Sequence, residues 1–377
     1  MDEQYGPEEF SPAKPVDNKP ELLPQKKRKT PFVAVAILAL VLLVGVAYFM
    51  FGNWRNSADK NNQELTSAPA AIAVAGQMVS PDETELDLRS TQISDLTMLQ
   101  SFTNLKSLNL SDTPISDLTM LQSHTNLTKL YLEYTKISDI SPLRLLINMT
   151  DLDLIGNAIS DFSPLQSLTN LRWLDLSDTT ISDLSPLQSL SNLTELYLLY
   201  TQVSDLTPLQ SLINLTRLDI SGAPISDLSP LESLTNLIWL HLWGAQISDF
   251  TPLQSLTNLE ELYLVDTNIS DITPLQSLTN LEELYLWGTP VSDIAPLQAL
   301  TDLTKLHLGD TPIRDISPLE PLVKLMELDL SGTKISDLDP LRSLSNLTEL
   351  NLSSIDNLTD SQIQDLQNAL PNCVITH

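Results

Sequence analysis

LTELYLLYTQVSDLTPLQSLIN, residues 193–214, and LEELYLVDTNISDITPLQSLTN, residues 259–280, are two copies of one 22-residue unit. The unit recurs from about Glu83 to Leu352, which makes about thirteen copies. Self-similarity at a fixed period of this length indicates a solenoid, in which each unit packs only against its neighbours. The sequence therefore predicts one repeat domain, rather than the two or three domains that a length of 377 residues alone suggests.

Each unit contains the signals for one short strand and one tight turn. In L-x-x-L-x-L the leucines at positions 4 and 6 alternate with polar residues, which is typical of a strand with one buried face. The later run I-S-D-L-[ST]-P-L predicts a hydroxyl N-cap followed by Pro in the first turn of a 3₁₀ or short helical segment. Strands stacked in parallel at about 4.8 Å would form a concave sheet, opposite a convex wall of turns. The predicted fold class is an α/β solenoid.

The sustained register L-x-x-L-x-L-x-x-T-x-I-S-D-L-x-P-L-x-x-L-x-N resembles the leucine-rich repeat family, specifically the 22-residue class of bacterial internalins. The resemblance implies a leucine-rich repeat horseshoe. One position departs from the family pattern: position 9, usually Asn, is mostly Thr here, and Asn stands there only at Asn157. Because Thr lacks an amide group, we expect a weaker or differently bonded ladder at that corner.

Both ends of the solenoid require caps. At the C-terminus, Asp360 is predicted to cap a helix that ends before Pro371, with a last strand at Cys373 to Ile375. At the N-terminus, a capping strand is expected around Ile72 to Val79. The predicted organisation is a disordered cytoplasmic tail (1–31), a transmembrane helix (32–51), a linker and N-terminal cap (52–82), leucine-rich repeats (83–354) and a C-terminal cap (355–377).

The uncharged stretch FVAVAILALVLLVGVAYFMF, residues 32–51, predicts one membrane crossing, since 20 helical residues span about 30 Å. Four consecutive cations, at positions 26–29, precede it, which places the N-terminus in the cytoplasm and the repeats in the periplasm or outside the cell. A cleaved signal peptide is the alternative, but its apolar region is usually only about 7 to 15 residues long. The prolines at positions 7, 12, 15, 20 and 24 favour a disordered tail.

The charge of the chain narrows the class of partner. The formal net charge is -28, which disfavours nucleic acid and favours a protein with a basic patch. The segment 1–30 holds equal numbers of positive and negative charges, so the whole excess lies beyond it. The single cysteine, Cys373, permits neither an internal disulfide nor a Cys-rich zinc site.

No motif for catalysis, cofactor binding or metal binding is present in the sequence, and we expect a protein without enzymatic activity or cofactor. His241 and His307 stand three units apart, about 14 Å, which is too far to share a metal ion. An Asp recurs at position 13 of twelve units. A calcium ladder is one interpretation, but one carboxylate per unit is few for calcium, and turn formation explains the same residue.

The aromatic residues predict the binding surface. Positions 3, 5, 7 and 8 should point out from the sheet, and they carry four of the five tryptophans and six of the eight tyrosines. Such residues often anchor interfaces, although aromatic residues also favour strands for packing reasons alone. The predicted partner-binding residues are Tyr131, Tyr134, Trp173, Tyr197, Tyr200, Trp239, His241, Trp243, Glu261, Tyr263, Glu283, Tyr285, Trp287 and His307.

The leading hypothesis is a membrane-anchored module that binds a protein through an aromatic, acidic concave face. Two alternatives remain open at this point: a structural component of the cell envelope, and a receptor for glycans.

Overall fold

The structure, a computed structural model, describes residues 72–74 and 76–377. The strands of this part are β1 (Ile72–Val74), β2 (Gln77–Val79), β3 (Glu85–Asp87), β4 (Ser107–Asn109), β5 (Lys129–Tyr131), β6 (Asp151–Asp153), β7 (Trp173–Asp175), β8 (Glu195–Tyr197), β9 (Arg217–Asp219), β10 (Trp239–His241), β11 (Glu261–Tyr263), β12 (Glu283–Tyr285), β13 (Lys305–His307), β14 (Glu327–Asp329), β15 (Glu349–Asn351) and β16 (Val374–Thr376). Its α-helix is α1 (Asp360–Ala369). Its 3₁₀ turns span Thr97–Ser101, Thr119–Ser123, Ser141–Leu145, Ser163–Ser167, Ser185–Leu187, Thr207–Ser211, Ser229–Ser233, Thr251–Ser255, Thr273–Ser277, Ala295–Ala299, Ser317–Leu319 and Asp339–Ser343.

The predicted tail (1–31), transmembrane helix (32–51) and most of the linker lie outside the described residues. Among the helices that the structure describes, none has the length and apolar character required to cross a bilayer.

The repeat strands form one parallel sheet of fourteen strands, β3 to β16, in the order of the chain. Each strand pairs with the next in the same register, so Leu240 lies beside Leu262 and His241 beside Tyr263. β3 to β15 come one from each repeat unit, and β16 is added by the C-terminal cap. A side chain on the sheet therefore stands beside the side chain at the same position of the next unit.

The core is a stack of similar apolar layers, one layer for each coil. Positions 1, 4, 6, 11, 14, 17 and 20 of the unit are turned inward, and burying each such side chain contributes about 1.5 to 3 kcal/mol relative to exposure. In the coil of residues 193–214 these positions are the buried Leu193, Leu196, Leu198, Val203, Leu206, Leu209 and Leu212. The leucine pattern thus leaves positions 3 and 5 for the opposite face of the sheet.

The predicted hydroxyl N-cap of the 3₁₀ turns is wrong. The residue before each turn is Leu, Ile or Phe at position 14, and it makes no side-chain capping bond, as at Leu206. The Asp of position 13 accepts the hydrogen bond instead: the backbone N–H of Thr207 donates to Asp205 Oδ1 at 2.8 Å. The hydroxyl at position 15 often donates to the same carboxylate, as Ser185 does to Asp183. The Asp ladder thus forms turns, as one of the two interpretations of its recurrence predicted.

The Thr residues of position 9 form different hydrogen bonds from the one Asn at this position, as expected from their lack of an amide group. Thr201 Oγ1 donates within its own coil to the carbonyl of Leu198, 2.8 Å away. Asn157 Nδ2 instead reaches the carbonyl of Leu132 in the preceding coil, at 2.7 Å, and its Oδ1 accepts from the hydroxyl of Thr135 at 2.7 Å. Thr201 therefore bonds within its coil, whereas Asn157 at the same position links two coils.

The N-terminal cap is a hairpin rather than the single capping strand that we expected. β1 and β2 pair antiparallel, with Ile72 beside Val79. Val74 is buried in the common core, and Ile72 and Val79 pack against it. Gly76 in the turn has a φ of 83°, a left-handed conformation that glycine adopts without strain.

The C-terminal cap contains the predicted helix, but Thr359 rather than Asp360 is its N-cap. The Thr359 side chain accepts from the backbone N–H of Gln362, and the Gln362 side chain accepts from the N–H of Thr359. Asp360 is the first helical residue. The last strand, β16, begins one residue later than predicted and extends the parallel sheet beside β15.

Candidate functional site

Eight rings on the face of the sheet at positions 3 and 5, here called the aromatic ladder, touch in an unbroken series. The members are Tyr131, Trp173, Tyr197, Trp239, His241, Tyr263, Tyr285 and His307. The contacts from Tyr131 to Trp239 are tilted or edge-on, with ring centroids 6.0 to 6.3 Å apart. These separations lie within the range of favourable aromatic pairs.

The second half of the ladder is packed more closely. The centroids of Trp239 and His241 lie 3.4 Å apart, and those of Tyr263 and Tyr285 lie 3.9 Å apart with an angle of 17° between the planes. Strand register explains the second contact, because Tyr263 and Tyr285 are paired neighbours. The first contact joins positions 3 and 5 of one strand. Trp239 and Tyr285 consequently expose only 9% of their surface each.

Carboxylates on the same face accept hydrogen bonds from two of the ladder tyrosines. The Tyr197 hydroxyl donates to Glu195 at 2.9 Å, and the Tyr285 hydroxyl donates to Glu283 at 2.7 Å. Burial, together with these carboxylates, raises the pKa of both tyrosines, so they remain neutral hydrogen-bond donors. Lys305 adds an ion pair with Glu283 at 2.7 Å.

The two histidines of the ladder have different surroundings. His307 Nε2 lies 2.9 Å from Glu327, and this hydrogen bond lowers the pKa of the glutamate. His241 is more deeply covered, and burial lowers its pKa, which keeps the ring neutral near pH 7. Its Nε2 is buried, lies 3.5 Å from Glu261, and has no hydrogen-bond partner among the described residues.

A cation also lies on the ladder. The guanidinium carbon of Arg217 stands 4.8 Å from the ring centroid of Trp239, which is a cation–π distance. The two side chains come from neighbouring strands in register. This pair shows that the aromatic ladder accepts a guanidinium group.

Beside the ladder runs a second set of side chains at positions 7 and 8, where the chain leaves each strand; we call this the rim. Position 8 has positive φ in all thirteen described coils, including 50° at Tyr134 and 56° at Tyr200. Bulky residues rarely adopt this conformation, which costs roughly 1 to 2 kcal/mol. Both tyrosines are also exposed, by 53% and 47%. The backbone thus tolerates strain where it presents an aromatic ring to solvent.

Glycines make room for the rim aromatics. A Cβ added at Gly156 would overlap the ring of Tyr134, and one added at Gly222 would overlap the ring of Tyr200. Each glycine occupies position 8 of the following coil, so each ring lies over the backbone of its neighbour. Trp287 lies over Gly309 in a similar way.

Trp243 completes the exposed part of the rim. Its ring meets that of Tyr200 edge-on at 5.7 Å, and its Nε1–H donates to Asp266 Oδ2 at 3.3 Å. Trp243 exposes 37% of its surface. Tyr200, Trp243 and Asp266 therefore form one contiguous aromatic and acidic cluster.

The structure divides the predicted binding residues into two groups. The ladder takes in eight of them, with Glu261 and Glu283 beside it, while Tyr134, Tyr200, Trp243 and Trp287 belong to the rim. The predicted set omits Arg217, Asp266 and the rim glycines. These residues stand out in the sequence only when the same position is compared in successive coils. The part of the chain that the structure describes holds no group of three or more His, Cys, Asp or Glu arranged to bind a metal ion.

Repeats of this kind, stacked with their leucines inward beside a parallel sheet, define a leucine-rich repeat solenoid. The family described as Leucine Rich repeats (2 copies) matches residues 84–123, 125–167, 169–211, 191–233, 235–277, 279–321 and 323–371. The chain therefore belongs to the leucine-rich repeat family. Solenoids of stacked repeats provide extended binding surfaces. A search of curated proteins found no significant match to this sequence.

Solved structures of bacterial proteins resemble this one. The internalin InlF of Listeria monocytogenes is 33% identical over 81% of this chain and 90% of its own, with a TM-score of 0.74. A leucine-rich repeat protein of Leptospira interrogans is 22% identical over 79% of this chain and 84% of its own, with a TM-score of 0.71. A plant peptide hormone receptor, RGFR1 in complex with RGF2, is 16% identical over 73% of this chain and 62% of its own, with a TM-score of 0.53, and shares the fold alone.

Proposed function

We propose that this protein is a membrane-anchored leucine-rich repeat module that binds a protein partner through the aromatic ladder and the rim. The observation that carries the proposal is the unbroken series of ring contacts from Tyr131 to His307 on the side of the sheet away from the core. Aromatic side chains held by their neighbours lose little conformational freedom when a partner arrives. A surface prepared in this way binds at a lower entropic penalty.

The charge of the surface indicates the chemistry of the partner. Acidic side chains accompany the rings throughout, including Glu195, Glu261 and Glu283 on the face and Asp178 and Asp266 on the rim. A basic patch on a partner protein would match this potential and would be steered toward it. We therefore expect binding to weaken as the salt concentration rises.

Photo-crosslinking tests this function. The photoreactive amino acid p-benzoylphenylalanine would replace Tyr131, Tyr197 or Tyr263 of the full chain in its source cells. Matched controls would carry it on the opposite side of the coil, at the exposed Gln166, Gln210 or Gln254. The expected result is one and the same crosslinked protein from all three ladder positions and none from the controls.

Two results would contradict the proposal. If the control positions give the same product, the partner does not select the ladder. If the ladder positions give no protein product, the rings serve sheet packing alone, as in a structural component of the envelope, or bind glycans. A glycan ligand would appear as sugar, rather than protein, attached to the ladder variants.

The membrane anchor is proposed from residues 32–51 and the preceding cations alone. We propose that the N-terminus is cytoplasmic and that the repeats lie in the periplasm or outside the cell. Extraction of cell membranes with alkaline carbonate should leave the full chain in the pellet, and deletion of residues 32–51 should release it. Release of the full chain by carbonate would overturn the anchor without affecting the binding surface.

A further inference from the structure

Within the described coils, the rim contains one notch of bare backbone, at Gly244. Side chains of the preceding coil cover the other glycines at rim positions: Tyr134 covers Gly156, Tyr200 covers Gly222, Asp266 covers Gly288, Trp287 covers Gly309 and Asp310 covers Gly332. Gly244 is exposed, and apart from its chain neighbours Trp243 and Ala245, a Cβ added there would meet nothing within 4 Å. The cause lies in the sequence, because position 8 of the preceding coil is Gly222, which has no side chain to extend over Gly244.

The walls of this notch have opposite chemical character. On one side stand the exposed rings of Tyr200 and Trp243, 5.7 Å apart. In the next coil, Asp266 at position 8 has its carboxylate fixed by the hydrogen bond from Trp243 Nε1. Oδ2 of this carboxylate faces the indole, and Oδ1 lies over Gly288. The aromatic rings and the oriented carboxylate are thus joined through Trp243, the chain neighbour of Gly244.

This combination suits a guanidinium group better than any other common side chain. A guanidinium is planar, stacks on aromatic faces and donates in a fixed fork that matches a carboxylate. A lysine ammonium is a compact, strongly hydrated charge without a planar face, so it meets the rings by a cation–π contact but does not lie flat on them. At positions 7 and 8 of the four coils around the notch, residues 221–222, 243–244, 265–266 and 287–288, the chain has no Lys or Arg of its own.

We propose that the notch over Gly244 is a subsite for one arginine side chain of the partner protein. The guanidinium stacks against Trp243 and Tyr200 and donates to Asp266. This inference rests on the proposed function, because it names the residue by which the basic partner is held at the rim. It also assigns a role to Gly222 and Gly244, the glycines of two consecutive coils, which leave the backbone uncovered.

The test is an NMR titration of the full chain labelled with ¹⁵N at the tryptophan indoles. The Trp243 signal is assigned by its loss in Trp243→Phe. The probes are three capped tripeptides, acetyl-Gly-Xaa-Gly-amide, in which Xaa is arginine, lysine or citrulline. Citrulline has nearly the shape of arginine but no charge. The expected result is a saturable shift of the Trp243 indole signal with the arginine probe, a shift at least several-fold smaller with lysine, and none with citrulline.

Variants locate the effect. Gly244→Asn fills the notch with a residue that tolerates positive φ, as Asp does at position 8 of other coils. Asp266→Asn removes the charge but keeps an oxygen for Trp243. The control is Asp112→Asn, an exposed rim aspartate at the same position of a distant coil. We expect Gly244→Asn to abolish the arginine shift, Asp266→Asn to weaken binding at least tenfold, and Asp112→Asn to change neither.

Equal shifts with arginine and lysine, or an arginine shift that survives Gly244→Asn, would overturn the subsite and indicate diffuse attraction to an acidic chain. Failure of the subsite is distinguishable from failure of the proposed function. If the ladder crosslinks persist and Gly244→Asn binds the partner as tightly as the unaltered chain, the module stands and the subsite is wrong. If arginine binds at the notch but the ladder gives no protein crosslink, the notch binds a guanidinium group, but the proposed function is wrong, and with it the assignment of that group to a partner protein.

Discussion

The ring of Tyr200 lies over the backbone of Gly222 in the next coil, so closely that a single added methyl group would overlap it. Gly222 has a φ of 68°, and Tyr200 itself has a φ of 56°. The ring reaches across the glycine to meet Trp243. An exposed aromatic cluster on this repeat surface therefore depends on a residue that has no side chain.

Gly222→Ala should destabilise the protein by about 2 to 4 kcal/mol, because the strain of alanine at positive φ adds to overlap with the Tyr200 ring. The matched control is Gly244→Ala, at a φ of 72° with nothing within 4 Å of the added Cβ apart from its chain neighbours, which should show only the strain of about 1 to 2 kcal/mol. Denaturant unfolding of both variants measures the difference. Equal destabilisation would show that Tyr200 does not occupy the space above Gly222.

Asp153 should make the stability of the protein depend on pH. Burial raises its pKa to about 7, and the neighbouring Asp175 adds to this effect. A carboxyl whose pKa is higher in the folded state stabilises that state fully below its unfolded pKa of about 4, and this contribution is lost as the pH rises to about 7. Asp153→Asn should therefore raise stability at pH 8, by on the order of 2 kcal/mol, and change it little at pH 4.

Asparagine is a suitable replacement because Asn109 occupies the same position in another coil and accepts the corresponding hydrogen bond from Ser111. The control is Asp87→Asn, also at position 5. Burial there is outweighed by the hydrogen bonds and charge of Arg89, which lower the pKa of Asp87. Its effect on stability should have the opposite sign at pH 8. Thermal melts from pH 4 to 8 test both variants, and a gain that does not depend on pH would refute the role of Asp153 ionisation.

Asp205→Ala should destabilise its coil by about 0.5 to 2 kcal/mol, as expected for the loss of a capping acceptor. The backbone N–H of Thr207 would lose its partner at 2.8 Å. Asp205→Asn keeps an oxygen in place and should cost less. Since the aspartates of position 13 accept hydrogen bonds within the turns, millimolar calcium should leave the melting temperature of the unaltered chain unchanged. A calcium-dependent rise in melting temperature that disappears in Asp205→Asn would instead indicate that the aspartates of position 13 bind calcium.

Asn157→Thr should destabilise the protein by about 1 to 3 kcal/mol, because the carbonyl of Leu132 and the N–H of Ile137 would lose their bonds to the Asn side chain. The reciprocal change, Thr179→Asn, introduces an amide at a corner where the Thr hydroxyl donates to Leu176 in its own coil. We expect this change to be neutral or stabilising. Urea unfolding measures both variants, and a neutral Asn157→Thr would show that the link between coils adds nothing.

The sequence predicted the solenoid because its signals are local and periodic. Leu196 and Leu198 recur in the next unit as Leu218 and Ile220, and this spacing determines which faces are buried. The same logic located the turns but assigned the cap to the wrong group. Asp205 and Thr207 both offer oxygens to the first turn, and only the backbone geometry shows that the carboxylate is the acceptor.

The candidate site was predicted as a set of residues, and its organisation was not. Periodicity places Trp239 and Tyr263 on one face, but it does not show that Trp239 turns onto His241 to continue a ring series. Likewise, Gly244 is one glycine among several in the sequence. Its exposure depends on the absence of a side chain at the same position one coil earlier and on the direction in which rim side chains lean.

The repeating coils, their parallel register and the inward leucines follow from the sequence, because each coil repeats the same local pattern and can bury it only against its neighbours. Which side chain covers which neighbour depends on the tertiary structure. Ring stacking, the raised pKa of Asp153 and the open backbone at Gly244 all depend on distances between residues of different coils. Such distances arise from the packing of side chains in three dimensions, which a one-dimensional pattern does not specify.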